Sequence, residues 1–184
     1  MVVVNILNCT KVRLYLAASL SVVCTMATGV IQASVSAPLP AAEQWSSERA
    51  LYQIAKSELA TGAGQRYSEM RAQLAHYPLR IDLDLSVNLG QLHHMKASEA
   101  REFLSRARGT PLASRFLVAY LRHKAQDGRW ASFLGAIDTP PEMPELQCYY
   151  YRALLATGKA EPAFKGASEL WNVGYSQDSA CDPL

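Results

Sequence analysis

The sequence has no P-loop, no Gly-x-Ser-x-Gly elbow, no His-Glu-x-x-His pair and no Cys-x-x-Cys. Those absences exclude the common signatures of phosphate binding, serine hydrolysis, zinc proteolysis and dithiol exchange. It also lacks any stripe of Lys and Arg interleaved with aromatics, which excludes a nucleic-acid surface. Charge is sparse and nearly balanced, with 18 basic against 16 acidic residues. Cysteine is scarce too: only Cys9, Cys24, Cys148 and Cys181 occur. No residue set forms a constellation for catalysis, and the chain implies neither a cofactor nor a metal.

The N-terminus accounts for the small positive charge. Lys11 and Arg13 form a short basic region, followed by an apolar run from Leu14 to Ile31 broken only by small or weakly polar residues such as Ser19, Ser21, Thr25, Thr28 and Gly29. This is the pattern of a secretory signal peptide, residues 1–33, with cleavage expected after Ala33. Cleavage after Ala37 is disfavoured because Pro38 would follow it. An uncleaved anchor is the competing reading, since the run is near the lower limit for spanning a bilayer. A lipoprotein reading of Cys24 is weak, because Val22-Val23 supplies no small residue before the cysteine. Removing Lys11 and Arg13 makes basic and acidic residues equal in number. The expected location is therefore periplasmic, with membrane contact only through the leader during export.

Residues 34–44 (Ser-Val-Ser-Ala-Pro-Leu-Pro-Ala-Ala and onward) read as a flexible start to the mature chain, and 45–184 as one all-α domain. Trp45, Leu51, Ile54, Ala55 and Leu59 recur at helical spacing from about Ser46 to Thr61, closed by Gly62 and Gly64. A second helix is expected near 65–76, ending before Pro78. Residues 81–92 are ambiguous: Ile81, Leu83, Leu85, Val87 and Leu89 alternate with polar residues like a strand. A lone strand among helices has no partner, so a helix is preferred. Ser98 is expected to cap a helix to Arg108, with Gly109 as its stop. Thr110-Pro111 starts the next, to about Gln126. Further helices are expected at Trp130–Ile137, Glu145–Ala156 and Glu161–Asn172, with a loop at 138–144.

Asp127-Gly128-Arg129-Trp130 and Thr157-Gly158-Lys159-Ala160 repeat one glycine-then-cation pattern at an offset of about 30 residues, close to the tetratricopeptide period. Stacked helical pairs of this kind build an α-superhelix, because a single pair cannot bury its own apolar face. No capping helix is visible, and Asp182-Pro183-Leu184 stands where another helix would be expected to begin.

Hairpin geometry places Cys148, near the start of the Glu145 helix, and Cys181, just past the returning one, at the same end of a helical pair. In an exported chain two such cysteines form a disulfide more readily than a metal site. A closed loop of 33 residues stabilises the fold by about 3.7 kcal/mol in the chain-entropy model. The alternative is two free buried thiols.

His93-His94 invites a metal reading, but adjacent helical residues point about 100° apart, and zinc needs three or four ligands. A solvated helix end is the better reading. Tyr149-Tyr150-Tyr151 could stack on a sugar or a partner, yet interhelix packing with rim hydroxyls explains it as well. Trp45, Trp130 and Trp171 are expected to be packing residues. Glu99 and Glu102, beside Arg101 and Arg106, read as a solvated face.

Several strings together are more specific. Tyr77-Pro78-Leu79, Leu112-Ala113-Ser114-Arg115-Phe116, Gly128-Arg129-Trp130, Gln147-Cys148-Tyr149-Tyr150-Tyr151, Glu169-Leu170-Trp171, Ser176-Gln177 and Ala180-Cys181-Asp182 resemble the N-terminal superhelical domain of soluble lytic murein transglycosylases. The resemblance covers roughly 45–184 and is densest after Leu112. It implies a periplasmic role on peptidoglycan glycan strands, with the superhelix shaping an enzyme whose separate lysozyme-like domain makes the cut. In that family a single glutamate, in a Glu-Ser pair followed by Gly-Leu-Met-Gln and Asn-Ala-Gly motifs, leads to a 1,6-anhydro product, unlike the two-carboxylate scheme. None of these motifs occurs in this sequence, so no catalytic residue carries over. The expectation is a scaffold without glycan-cleaving activity, the first part of such an enzyme. The alternative is a free-standing helical-repeat adaptor for a protein partner.

Overall fold

The computed structural model describes residues 44–62, 64–174 and 176–184. The signal peptide expected at 1–33 and nearly all of the flexible start expected at 34–44 lie outside the described residues. Among the described residues eight α-helices follow in order: α1 Ser46–Thr61, α2 Gln65–Gln73, α3 Arg80–Gly90, α4 Ala97–Arg106, α5 Pro111–Gln126, α6 Trp130–Ala136, α7 Pro144–Ala156 and α8 Ala160–Trp171, with a 3-10 turn at Ser179–Cys181. There is no strand among the described residues, and no helix among them is long and apolar enough to cross a membrane.

The helices stack as a two-layer solenoid. In one layer α1 packs on α3, α3 on α5 and α5 on α7, while α4 packs on α6 in the other and α1–α2, α5–α6 and α7–α8 pair across them. The repeated turns have a common cause. Gly128 and Gly158 lie in the left-handed region at φ 66° and 81°, which costs glycine nothing. In each turn the N–H two residues past the cap reaches back to the helix: Arg129 to the Lys124 carbonyl at 2.8 Å, Lys159 to the Leu154 carbonyl at 2.9 Å. Both turns are Schellman motifs. Their sequence similarity is therefore one geometry used twice.

Helix α3 resolves the ambiguous segment. Ile81, Leu85 and Leu89 pack into one cluster with Phe103, Phe116 and Tyr120. Leu83 and Val87 pack into another with Tyr52, Tyr67 and Leu74. Residues two apart on a helix point about 200° apart, so two stripes four residues apart, offset by two, cover opposite faces. The strand-like alternation marks a helix buried on both sides.

Asp84 sits between these clusters, 4% exposed, and accepts hydrogen bonds from Arg71 of α2 at 2.6 Å and Arg106 of α4 at 2.9 Å. A buried carboxylate needs such partners to offset its desolvation. The layer of α1, α3, α5 and α7 is clamped similarly: Tyr52 and Lys56 of α1 meet Asp82 of α3, and Arg122 of α5 grips Glu145 of α7 through both carboxylate oxygens.

The expected start of α4 moves, and the expected cap of α5 bonds differently. Helix α4 starts after Lys96 rather than Ser98, because the Glu99 carboxylate accepts the Lys96 backbone N–H at 2.7 Å; Glu99 therefore closes a helix end as well as facing solvent. Thr110 does precede Pro111 at the start of α5, but its hydroxyl donates back to the Ala107 carbonyl at 2.7 Å instead of capping forward.

Candidate functional site

Two places on the solenoid gather residues with chemical character. The first is the corner where α7, α8 and the 3-10 turn meet. Pro144 supplies the first turn of α7 with a fixed φ, which sets Cys148 one turn in. Asp178 then caps the 3-10 turn by accepting the Ala180 N–H at 2.8 Å, and this brings Cys181 back over the start of α7. Cys148 and Cys181 are joined as a disulfide with their Cα atoms 4.9 Å apart, inside the range a bridge requires. Both are fully buried, with Ala180, Tyr149, Leu170 and Leu184 around them.

Arg152 ties this corner to the preceding hairpin. Its guanidinium lies 5.4 Å from the Trp130 ring and 5.5 Å from the Tyr149 ring, and it donates to the Ala180 carbonyl at 3.1 Å. The three consecutive tyrosines diverge: Tyr149 and Tyr150 pack toward the main cluster, while Tyr151 covers Gly166 of α8, where a Cβ would overlap its ring. All three are half-buried, so they pack helices rather than form an open platform. Trp45 packs on Tyr77 with ring centroids 5.8 Å apart, and Trp130 on Phe133. Trp171 departs from the packing expectation, being 48% exposed, as is Phe164 at 56%.

The second place is the C-terminal end of α5. Lys124 is fully buried, and its ammonium donates to the Leu92 carbonyl at 2.7 Å. Burial, reinforced by Arg129, lowers its pKa. Arg129 donates to the His93 carbonyl at 2.8 Å, so α5 and its turn hold the segment after α3 by its backbone. His93 is thereby set beside His123 and Asp127. His93 and His94 do not converge on one point; their rings meet edge to face at 4.8 Å. The partners of His93 lie 30 and 34 positions along the chain, and the one local signal for them was the i, i+4 spacing of His123 and Asp127.

Open clefts flank these places. One of about 300 Å³ is lined by Asn88, Gln91, Glu99, Glu102 and Arg106. Another of about 540 Å³ lies between α5 and the 138–143 loop, walled by Leu117, Val118, Pro140, Pro141 and Met143.

No family model matches the chain. It is similar to the soluble lytic murein transglycosylase of Escherichia coli K12, 29% identical over 159 residues, covering 86% of this chain and 24% of the relative. It is also similar to the soluble lytic murein transglycosylase of Salmonella typhimurium LT2, 31% identical over 116 residues, covering 63% of this chain and 18% of the relative. Among solved structures, the 70-kDa soluble lytic transglycosylase of Escherichia coli superposes with a TM-score of 0.66 at 29% identity, over 74% of this chain and 22% of that one. The same values hold for its complex with bulgecin A. The chain thus spans about a quarter of the length of the relatives it matches.

Proposed function

We propose that this chain, a member of the soluble lytic murein transglycosylase family, acts as superhelical scaffold in peptidoglycan turnover outside the cytoplasm. The observation that carries the reading is the layered α-solenoid, which matches a soluble lytic transglycosylase in fold and sequence together. Within this sequence no Glu-Ser pair is available to cleave glycan. The role is therefore to shape and position, with peptidoglycan glycan strands as the partner. Export through residues 1–33 and cleavage after Ala33 belong to the same proposal, as does oxidation of Cys148 and Cys181 in the periplasm.

Incubation of the purified chain with sacculi tests the reading. The chain is expected to co-sediment with sacculi and to release no anhydro-muropeptides. Release of such products overturns the scaffold role, and failure to co-sediment removes the glycan strand as partner. One observation favours a second reading, an adaptor for a protein partner: Phe164, Trp171 and Val173 are exposed along and just after α8.

A further inference from the structure

We infer that His93, His123 and Asp127 form a binding site for a borderline transition-metal dication such as Zn²⁺, bridging the α3–α4 segment to α5. His93 Nδ1 lies 3.3 Å from Asp127 Oδ2, and His123 Nε2 lies 3.5 Å from the same oxygen. All three ligand atoms fall within 4.8 Å of one another. Ligands about 2.0–2.1 Å from a tetrahedral metal are separated by about 3.4 Å, so the two spacings to Asp127 match such an ion, and the two imidazole nitrogens close on it by turning about their side-chain bonds. Two imidazoles and one carboxylate are a donor set that favours zinc over magnesium or calcium, which prefer oxygen alone.

A second observation points the same way. His123 Nε2 is buried from solvent and has no hydrogen-bond partner, an arrangement that costs free energy unless something else satisfies the nitrogen. The ligand positions are also set by the backbone. His123 lies in the last turn of α5 and Asp127 caps its end in helical geometry, one turn further on, where side chains at i and i+4 share a face. The main chain at His93 is fixed by Arg129 and Lys124 through the carbonyls of His93 and Leu92. Arg129 Nε approaches the Asp127 carboxylate at 3.7 Å and would compete with the ion, but its Nη1 is already committed to the His93 carbonyl. His93 is exposed enough, at 58% of its side chain, to leave a fourth position for water.

The test is a zinc titration of the purified, EDTA-treated chain followed by thermal melting, with CoCl2 absorption as an independent readout. ZnCl2 at 100 times its Kd is expected to raise the melting midpoint by roughly 5–10 °C, and Co²⁺ to give the intense visible bands of a tetrahedral site. His93→Ala, His123→Ala and Asp127→Asn should each weaken binding at least tenfold, whereas His94→Ala should leave it unchanged. Four results overturn the proposal: no shift with zinc, an equal shift with MgCl2, retention of the shift in His123→Ala, or an equal loss in His94→Ala. Because His93 is exposed, the melting midpoint of His93→Ala in EDTA should match that of the parent chain, which separates ligand loss from misfolding.

Discussion

Helices α3 and α8 are of similar length, yet they are held in place by different means. Helix α3 presents large apolar side chains to two clusters at once, with Leu83 and Leu85 almost wholly buried. Helix α8 buries one face through Ala163, Gly166 and Ala167 and leaves Phe164 and Trp171 about half exposed. Small residues remove little apolar area from water, and stabilisation from burial scales with that area. What they permit instead is close approach, and Gly166 lets α8 lie against the Tyr151 ring. The nearby disulfide supplies covalently what α8 lacks in buried area. A solenoid can therefore secure one helical pair by bulk and another by closeness plus a crosslink.

Breaking the crosslink should have the largest effect. Cys148→Ala is expected to cost about 3.7 kcal/mol, read from urea unfolding with and without reductant; mobility unchanged by reductant on non-reducing gels would show that no bridge had formed. A mirrored pair of substitutions sharpens the contrast between the two helices. Leu85→Ala should cost about 3 kcal/mol by leaving a cavity in α3, whereas Gly166→Ala should cost about 2 kcal/mol by forcing α8 off Tyr151. Chemical denaturation of each variant checks both, and a neutral Gly166→Ala would show that closeness is not what holds α8.

Acidification should act on α3 more than on α8. The Tyr52 hydroxyl, with Lys56, holds Asp82 below its ordinary value of 3.8. A depressed carboxylate contributes stability above its unfolded pKa and loses it as pH falls through the folded one. The α1–α3 contact should thus weaken below about pH 4, and Asp82→Asn should flatten that part of the stability profile. The smallest effect is expected for Trp171→Ala, within about 0.5 kcal/mol by thermal melting, because half of the ring is already in water.

The helices were readable in the sequence wherever a local residue dictates a local end. Gly128 and Gly158 stop their helices because φ must turn positive there, and Pro111 begins one because its φ suits the first turn. Helix α3 was harder, since period-two alternation signals a strand unless it is known that both faces are covered, and that depends on α1, α2, α4 and α5. The start of α4 was misplaced for a related reason: Glu99 reaches back to Lys96, so the carboxylate rather than the serine closes the helix. The grouping of His93 with His123 and Asp127 left only the i, i+4 spacing of the last two in the sequence. It depends on Lys124 and Arg129 gripping carbonyls some thirty residues away, a long-range fact with no periodic signature.

The link from Cys181 to Cys148 also changes what a broken backbone would mean. A protease cutting between α8 and the 3-10 turn would leave two polypeptides that still migrate as one molecule. Leu184 and its neighbours would stay seated over the start of α7 until a thiol reductant released them. The corner thus tolerates a nick that would otherwise free the peptide, and its integrity becomes a redox property as well as a folding one.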